Sequence, residues 1–184
     1  MTQQIPPPPA PVAVTLAAAT TALIVLDITE ATCAPQPNCV AMLPTIANLI
    51  EDARAAGVFV VYTTGGAPTT VLPAVNPDPT DPVIVGGQDK LWESGLDEFL
   101  NERGISTLVL VGWRANGSVM YTSFGATLRG YTVVVADDAI AAPEEFMLAI
   151  GRYQILNQLL GNPTNEPLRE RAVTLSRTDL ITFR

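Results

Sequence analysis

The chain has 184 residues, enough for one domain with a full hydrophobic core, and no break in composition divides it. Nearly half of it is apolar, yet the longest apolar runs are strand-sized and fall short of the roughly 20 residues a spanning helix needs, which excludes a membrane partner. A formal net charge of −8, with only scattered basic residues, excludes nucleic acid, so the expected partner is a small-molecule substrate.

Residues 1–19 read as a Pro-rich N-terminal arm and 20–184 as a single α/β domain. The prolines of 3–11 lack amide donors and favour extended polyproline geometry, as a disordered tail or as an arm across a neighbouring subunit. The first apolar run, 21–26, predicts a buried strand closed by Asp27. A helix is expected over 40–56, with Leu43, Ile46, Ala47, Ile50 and Ala53 on one face and Gly57 as its stop. A second strand follows at 58–63. Residues 65–82 are too rich in Pro, Thr, Gly and Asp for regular structure, and loops of that length are often functional. Residues 83–85 form a short strand, 95–103 a helix ended by Gly104, and 106–111 the third main strand. A helix from about 116 to 129 stops at Gly130, a strand covers 131–136, and a helix covers 143–160. Strands at 172–175 and 180–183 close the chain. Apolar runs alternating with helices predict a three-layer, doubly wound, mostly parallel sheet of five to six strands with helices on both faces, whose ligands bind beyond the carboxyl ends of the strands.

There is no histidine, and a single lysine, Lys90, stands against nine arginines. Without imidazole the chain builds no Ser-His-Asp triad, no Cys-His dyad and no histidine-ligated metal site; neither metal nor cofactor is expected. Three residues remain as candidates for chemistry. Asp27 emerges at the carboxyl end of a central strand, where partial desolvation suits a general acid or base. Ser118 lies at a helix start after another central strand, well placed to touch a substrate oxygen, although from the residues alone the favoured reading is a serine that satisfies a backbone donor. Lys90, beside Gly86 and Gly87, is either an ordinary surface lysine or a point charge that orients an anion. Trp92, Trp113 and Tyr121 are candidate pocket walls for a flat ligand. Cys33 and Cys39 are a structural pair, buried thiols or, less favoured, a replacement nucleophile. A pair closing so short a loop does not make a disulfide scaffold, and with no charged n-region or cleavage site before the first strand the chain is expected to be cytoplasmic.

Two segments carry a resemblance. Ala22-Leu23-Ile24-Val25-Leu26-Asp27 and Thr107-Leu108-Val109-Leu110-Val111-Gly112-Trp113-Arg114-Ala115-Asn116-Gly117-Ser118-Val119 are similar to the first strand and the nucleophile turn of the isochorismatase-like hydrolase superfamily, also called cysteine hydrolases. The later Ala126 to Tyr131 and Val133 to Ala139 segments extend the likeness. In that family an aspartate, a lysine and a cysteine act together on an amide or related carbonyl. The resemblance assigns Asp27 to the first role and puts Ser118 where the cysteine stands. Lys90 falls several residues after the usual lysine, whose slot Gly86 occupies. The turn Arg114, Ala115, Asn116 and Gly117 is expected to contact substrate, and a cis peptide is implied between Trp113 and Arg114. Family isochorismatases lack the cysteine and protonate a vinyl ether through the aspartate, so hydrolysis of a small amide, enol ether or related molecule by Asp27 is the first expectation. A catalytically inactive binding or scaffold member is the alternative. Relatives usually assemble as dimers or larger, so a homo-oligomer is expected.

Overall fold

The computed structural model describes residues 7–66 and 69–184. The polyproline expectation at 3–6 and the loop positions 67–68 lie outside them. The elements in chain order are β1 (Val14–Leu16), β2 (Thr21–Leu26), α1 (Pro37–Ala55), β3 (Phe59–Gly65), β4 (Val83–Gly86), α2 (Leu96–Asn101), β5 (Thr107–Trp113), α3 (Met120–Leu128), β6 (Thr132–Ala141), α4 (Glu145–Asn157), β7 (Val173–Ser176) and β8 (Ile181–Phe183). Six strands form one sheet in the order β4-β3-β2-β5-β6-β7, every neighbouring pair parallel. This is the expected doubly wound α/β architecture. The chain walks outward from β2 on one side and from β5 on the other, so the reversal of direction lies between those two strands.

The uninterrupted apolar runs follow from this layering. Every residue of β2 is buried, and successive side chains enter different cores. Leu23 and Val25 join α1, together with Val109, Val111 and Val134. Ala22, Ile24 and Leu26 join α2, α3 and α4 on the opposite face, with Leu108, Leu110 and Val133. α1 begins earlier than its apolar periodicity indicated, because Pro37 suits the first helical turn, and it buries Met42, Leu43, Ile46, Leu49, Ile50 and Ala53 against the sheet. The loop after β3 is fastened to it by an ion pair between Arg54 and Asp81 and by Tyr62, whose hydroxyl donates to Val75 O at 2.7 Å. Burial, opposed by the nearby Arg54, pushes that phenol up to about 12.

Three expectations need correction. The N-terminal arm is not outside the core from residue 10 onward: Val14–Leu16 pairs in parallel with Ile181–Phe183, and Val14 and Leu16 are buried. Val12 N–H donates to Leu175 O at 3.1 Å, and the Asn165 side-chain amide donates to Ala10 O at 2.9 Å. The proline-free stretch after Pro11 regains the amide donors that the preceding prolines lack. The strand expected to end at Ala136 runs on to Ala141, because a register shift opposite Leu110 and Gly112 accommodates two acids within it. Asp137 pairs with Arg152, and Asp138 accepts from Thr178 N–H at 2.9 Å, so both charges leave the sheet satisfied. α4 is correspondingly shorter than the 143–160 expected.

Cys33 and Cys39 are joined as a disulfide between the loop after β2 and the first turn of α1, and both are fully buried. Closing this short loop removes unfolded-chain entropy worth about 2 kcal/mol. Full reduction is therefore expected to lower the melting temperature by roughly 4–8 °C. The check is a thermal scan with and without reductant, alongside thiol titration; an unmoved transition with both thiols titrated contradicts the stabilising role.

Candidate active site

Asp27 follows β2 directly, at the reversal point of the sheet. Its backbone is left-handed (φ +53°), a conformation that Asp tolerates better than most residues. Its own N–H still donates to Thr63 O at 3.1 Å, while its carbonyl accepts from Thr29 N–H at 3.0 Å and from the Thr32 hydroxyl. The main chain on both sides of the carboxylate is thus tied down. The side chain is almost entirely buried.

Lys90 comes from the loop between β4 and α2 and is among the most buried side chains of the molecule, 1% exposed. Its ammonium lies 2.7 Å from Asp27 Oδ1 and also donates to Thr64 O at 3.3 Å and Gly86 O at 3.5 Å. The surface-lysine reading is therefore set aside. Gly86 explains how a lysine displaced along the sequence arrives at the carboxylate. A Cβ on Gly86 would meet Lys90 Cδ at 3.5 Å, so the lysine stem runs back across the position where the resemblance put the lysine. The backbone of this segment is clasped to α3. Lys90 N–H donates to Thr122 Oγ1 at 3.1 Å, Thr122 Oγ1 donates to Gln88 O at 3.3 Å, and Asp89 pairs with Arg129 at 3.1 Å. Asp89 also lies so close over Gly125 that any side chain there would collide with it.

Ser118 arrives from the other side of the reversal point. β5 ends at Trp113, the Trp113–Arg114 peptide is cis as the resemblance implied, and a widened helical turn, Ala115–Val119, leads into α3. The Ser118 hydroxyl donates to Asp27 Oδ2. The two carboxylate oxygens are therefore divided, one to an ammonium and one to a hydroxyl. Two N–H groups of the turn, those of Gly117 and Val119, are engaged by Arg114 O at 2.9 and 3.3 Å, which limits how much of the turn faces a ligand oxygen. α4 supports the turn from behind: a Cβ on Gly151 would come within 2.7 Å of Ala115 C.

The three elements enclose a cleft of about 160 Å³ lined by Asp27, Gln88, Trp113, Arg114, Gly117 and Ser118. The expected residues Trp113, Arg114 and Gly117 are there. Ala115 is buried behind the turn and Asn116, whose amide oxygen is buried without a partner, is not part of the lining. Trp92 and Tyr121 do not line it either, being 61% and 44% exposed on the outer surface, because each follows the segment that reaches the cleft by two or three residues and points elsewhere. Gln88 was not anticipated; its place beside two glycines and two residues before Lys90 is the signal that was available. Cys33 offers no thiolate, since its sulfur is bonded to Cys39. Among the described residues no cluster of three or more His, Cys, Asp or Glu has the arrangement of a metal site.

The isochorismatase domain family model matches residues 21–154. One relative, the secreted isochorismatase effector Isc1 of Verticillium dahliae, is 29% identical over 116 residues, which are 56% of this chain and 61% of that protein, so the match spans less than two thirds of the relative's length. Among solved structures, a cysteine hydrolase from Pseudomonas syringae pv. phaseolicola matches with a TM-score of 0.76 at 19% identity, covering 97% of this chain and 95% of that one. An N-carbamoylsarcosine amidase from Thermoplasma acidophilum matches with a TM-score of 0.69 at 22% identity, covering 87% and 97%. At such identities the structural likeness establishes the fold.

Proposed function

The chain belongs to the isochorismatase domain family, and we propose that it hydrolyses a small amide, enol ether or related molecule with Asp27 as general acid or base and without a cysteine nucleophile. The observation that supports this reading is the Asp27 carboxylate held between Lys90 and Ser118 at the wall of the cleft. Lys90 fixes the orientation of the carboxylate, and the Ser118 hydroxyl, turning its proton from Asp27 to the ligand, holds the substrate oxygen together with the donors of the turn that Arg114 O does not engage. In the base role Asp27 takes a proton from a water that attacks the carbonyl carbon and returns it to the leaving nitrogen as the C–N bond breaks. With an enol ether it gives a proton to the vinyl carbon, and water completes the cleavage.

Magnitudes decide against Ser118 as nucleophile. A reference thiol at about 8.5 lies roughly 5 units above a reference aspartate, but an alcohol, as weak an acid as water, lies roughly 12 units above it. At about 1.4 kcal/mol per unit, forming the alkoxide with a carboxylate base costs near 16 kcal/mol, against about 6 for the thiolate. Ser118→Ala is accordingly expected to keep turnover within about tenfold of the parent, the worth of one hydrogen bond. Ser118→Cys is expected to give a thiol that iodoacetamide inactivates and substrate protects. Kinetics on a panel of amides, ureas and enol ethers provides the test. If Ser118→Ala removes all turnover, serine is the nucleophile after all. If the parent binds panel members saturably but turns over none, the protein is the binding member of the fold.

No helix among the described residues is long and apolar enough to cross a membrane. The Cys33–Cys39 bond supports maturation where thiols are oxidised, a different compartment from the cytoplasm expected above.

A further inference from the structure

Five of the nine arginines are held by partners, and Arg169, Arg171 and Arg184 are exposed outside the cleft. Arg54, Arg129, Arg152 and Arg177 form ion pairs with aspartates. Arg103 stacks over Phe99, with its guanidinium carbon 3.6 Å from the ring centroid. Arg114 differs: it is exposed, it lines the cleft that holds Asp27 and Ser118, and among the described residues no carboxylate pairs with it. In a chain with 18 acidic and 10 basic residues, this is not for want of acids. Among the described residues that line the cleft the one other charge, Asp27, is engaged by the buried Lys90 behind it. Arg114 is therefore, among the described residues lining the cleft, the charge without a counterion.

Its geometry is also set. The Arg114 carbonyl accepts from Gly117 and Val119 N–H, which anchors the backbone at the head of the turn. The side chain lies over Gly117: a Cβ there would meet Arg114 Cγ at 3.0 Å and Nε at 3.2 Å. Glycine at 117 thus leaves room for the guanidinium stem at the wall of the cleft.

We infer, on the hydrolytic reading above, that Arg114 is the specificity-determining residue of this site and that the substrate carries a carboxylate beside the bond to be cleaved. The planar guanidinium fork matches a carboxylate with two parallel hydrogen bonds, geometry that neither Gln88 nor Lys90 supplies. The scissile group then sits over Asp27 and Ser118 with its anionic end on Arg114. The polar Gln88 amide remains for the uncharged part.

The test uses pairs of amides, ureas and enol ethers identical except that one end bears a carboxylate or a hydroxymethyl group. The wild-type protein is expected to prefer the carboxylate member by roughly 10- to 100-fold in kcat/KM, mainly through KM. Arg114→Gln is expected to collapse that preference, and Arg114→Lys to restore part of it. A loss that strikes both members alike, leaving their ratio intact, marks a merely structural arginine and overturns the inference. If the wild type turns over no pair, the same compounds are titrated by calorimetry. Carboxylate binding that Arg114→Gln abolishes then upholds the anion site while rejecting hydrolysis, and binding indifferent to the carboxylate or to Arg114 rejects the inference itself.

Discussion

Replacing Asp27 with Asn is expected to lower turnover by about 10²- to 10⁴-fold, the usual contribution of a general acid or base, and to cost roughly 3–5 kcal/mol of stability. The second effect arises from Lys90. With 1% of its surface exposed, its ammonium has one carboxylate partner, and the two remaining acceptors are backbone carbonyls at 3.3 and 3.5 Å. Asn cannot balance a buried charge. The remedy is to remove the charge as well: Asp27→Asn combined with Lys90→Met substitutes an uncharged chain of similar length. Replacing both members of a buried pair is often neutral or stabilising. The double variant is therefore expected to regain most of the lost stability and none of the activity. Urea denaturation and steady-state kinetics on the parent, Asp27→Asn and the double variant separate the two roles. Turnover surviving in Asp27→Asn rejects the catalytic assignment. A double variant no more stable than Asp27→Asn shows that the ammonium does not depend on the carboxylate.

Gly112→Ala is expected to be the most damaging single change outside the ionisable groups. Gly112 pairs in register with Leu26, the residue immediately before Asp27, and its φ of +120° is one that L side chains rarely adopt. A Cβ there would sit 2.9 Å from Leu26 N, 3.0 Å from Leu26 C and closer still to Leu26 O. These are backbone atoms of the neighbouring central strand and have no rotamer to escape into. Either β2 and β5 separate at their carboxyl ends or the turn after Trp113 shifts, and both movements pull Ser118 from Asp27. Strain and overpacking together make a loss of roughly 4 kcal/mol or more. A urea midpoint within 0.5 M of the parent, about 1 kcal/mol at ordinary slopes, contradicts this.

The sequence made Asp27 legible for a physical reason: a charge placed directly after five apolar residues has nowhere to go but the end of a buried strand. The same reasoning located β3, the core of β5 and the glycine that ends α1, since these follow from local period and turn chemistry. Ser118 was placed correctly after β5, but its preference for capping a backbone donor was the wrong default. The deciding partner, Asp27, lies far away in the chain, and no local pattern records it. Lys90 was harder still. Its distance from the expected slot counted against it until the flexible stem was seen to fold back over Gly86. The continuation of β6 through Asp137 and Asp138 was missed because two adjacent acids read as a turn, whereas each finds a partner from another element, Arg152 and Thr178. Trp92 and Tyr121 were chosen for chemistry alone. Which way an aromatic points depends on the register of its segment, and that is fixed by tertiary contacts.

The clasp between the Lys90 segment and α3 has a consequence for how the site works. Thr122 binds the backbone on both sides of Asp89, and Asp89 itself is wedged between Arg129 and Gly125. The ammonium and the helix that follows Ser118 consequently travel as one rigid piece instead of closing on each other like jaws. On the hydrolytic reading proposed above, charge is already aimed before any ligand enters, so little dipole reorientation is left to add to the barrier, and such a preassembled centre discriminates by fit and charge at entry instead of by induced rearrangement.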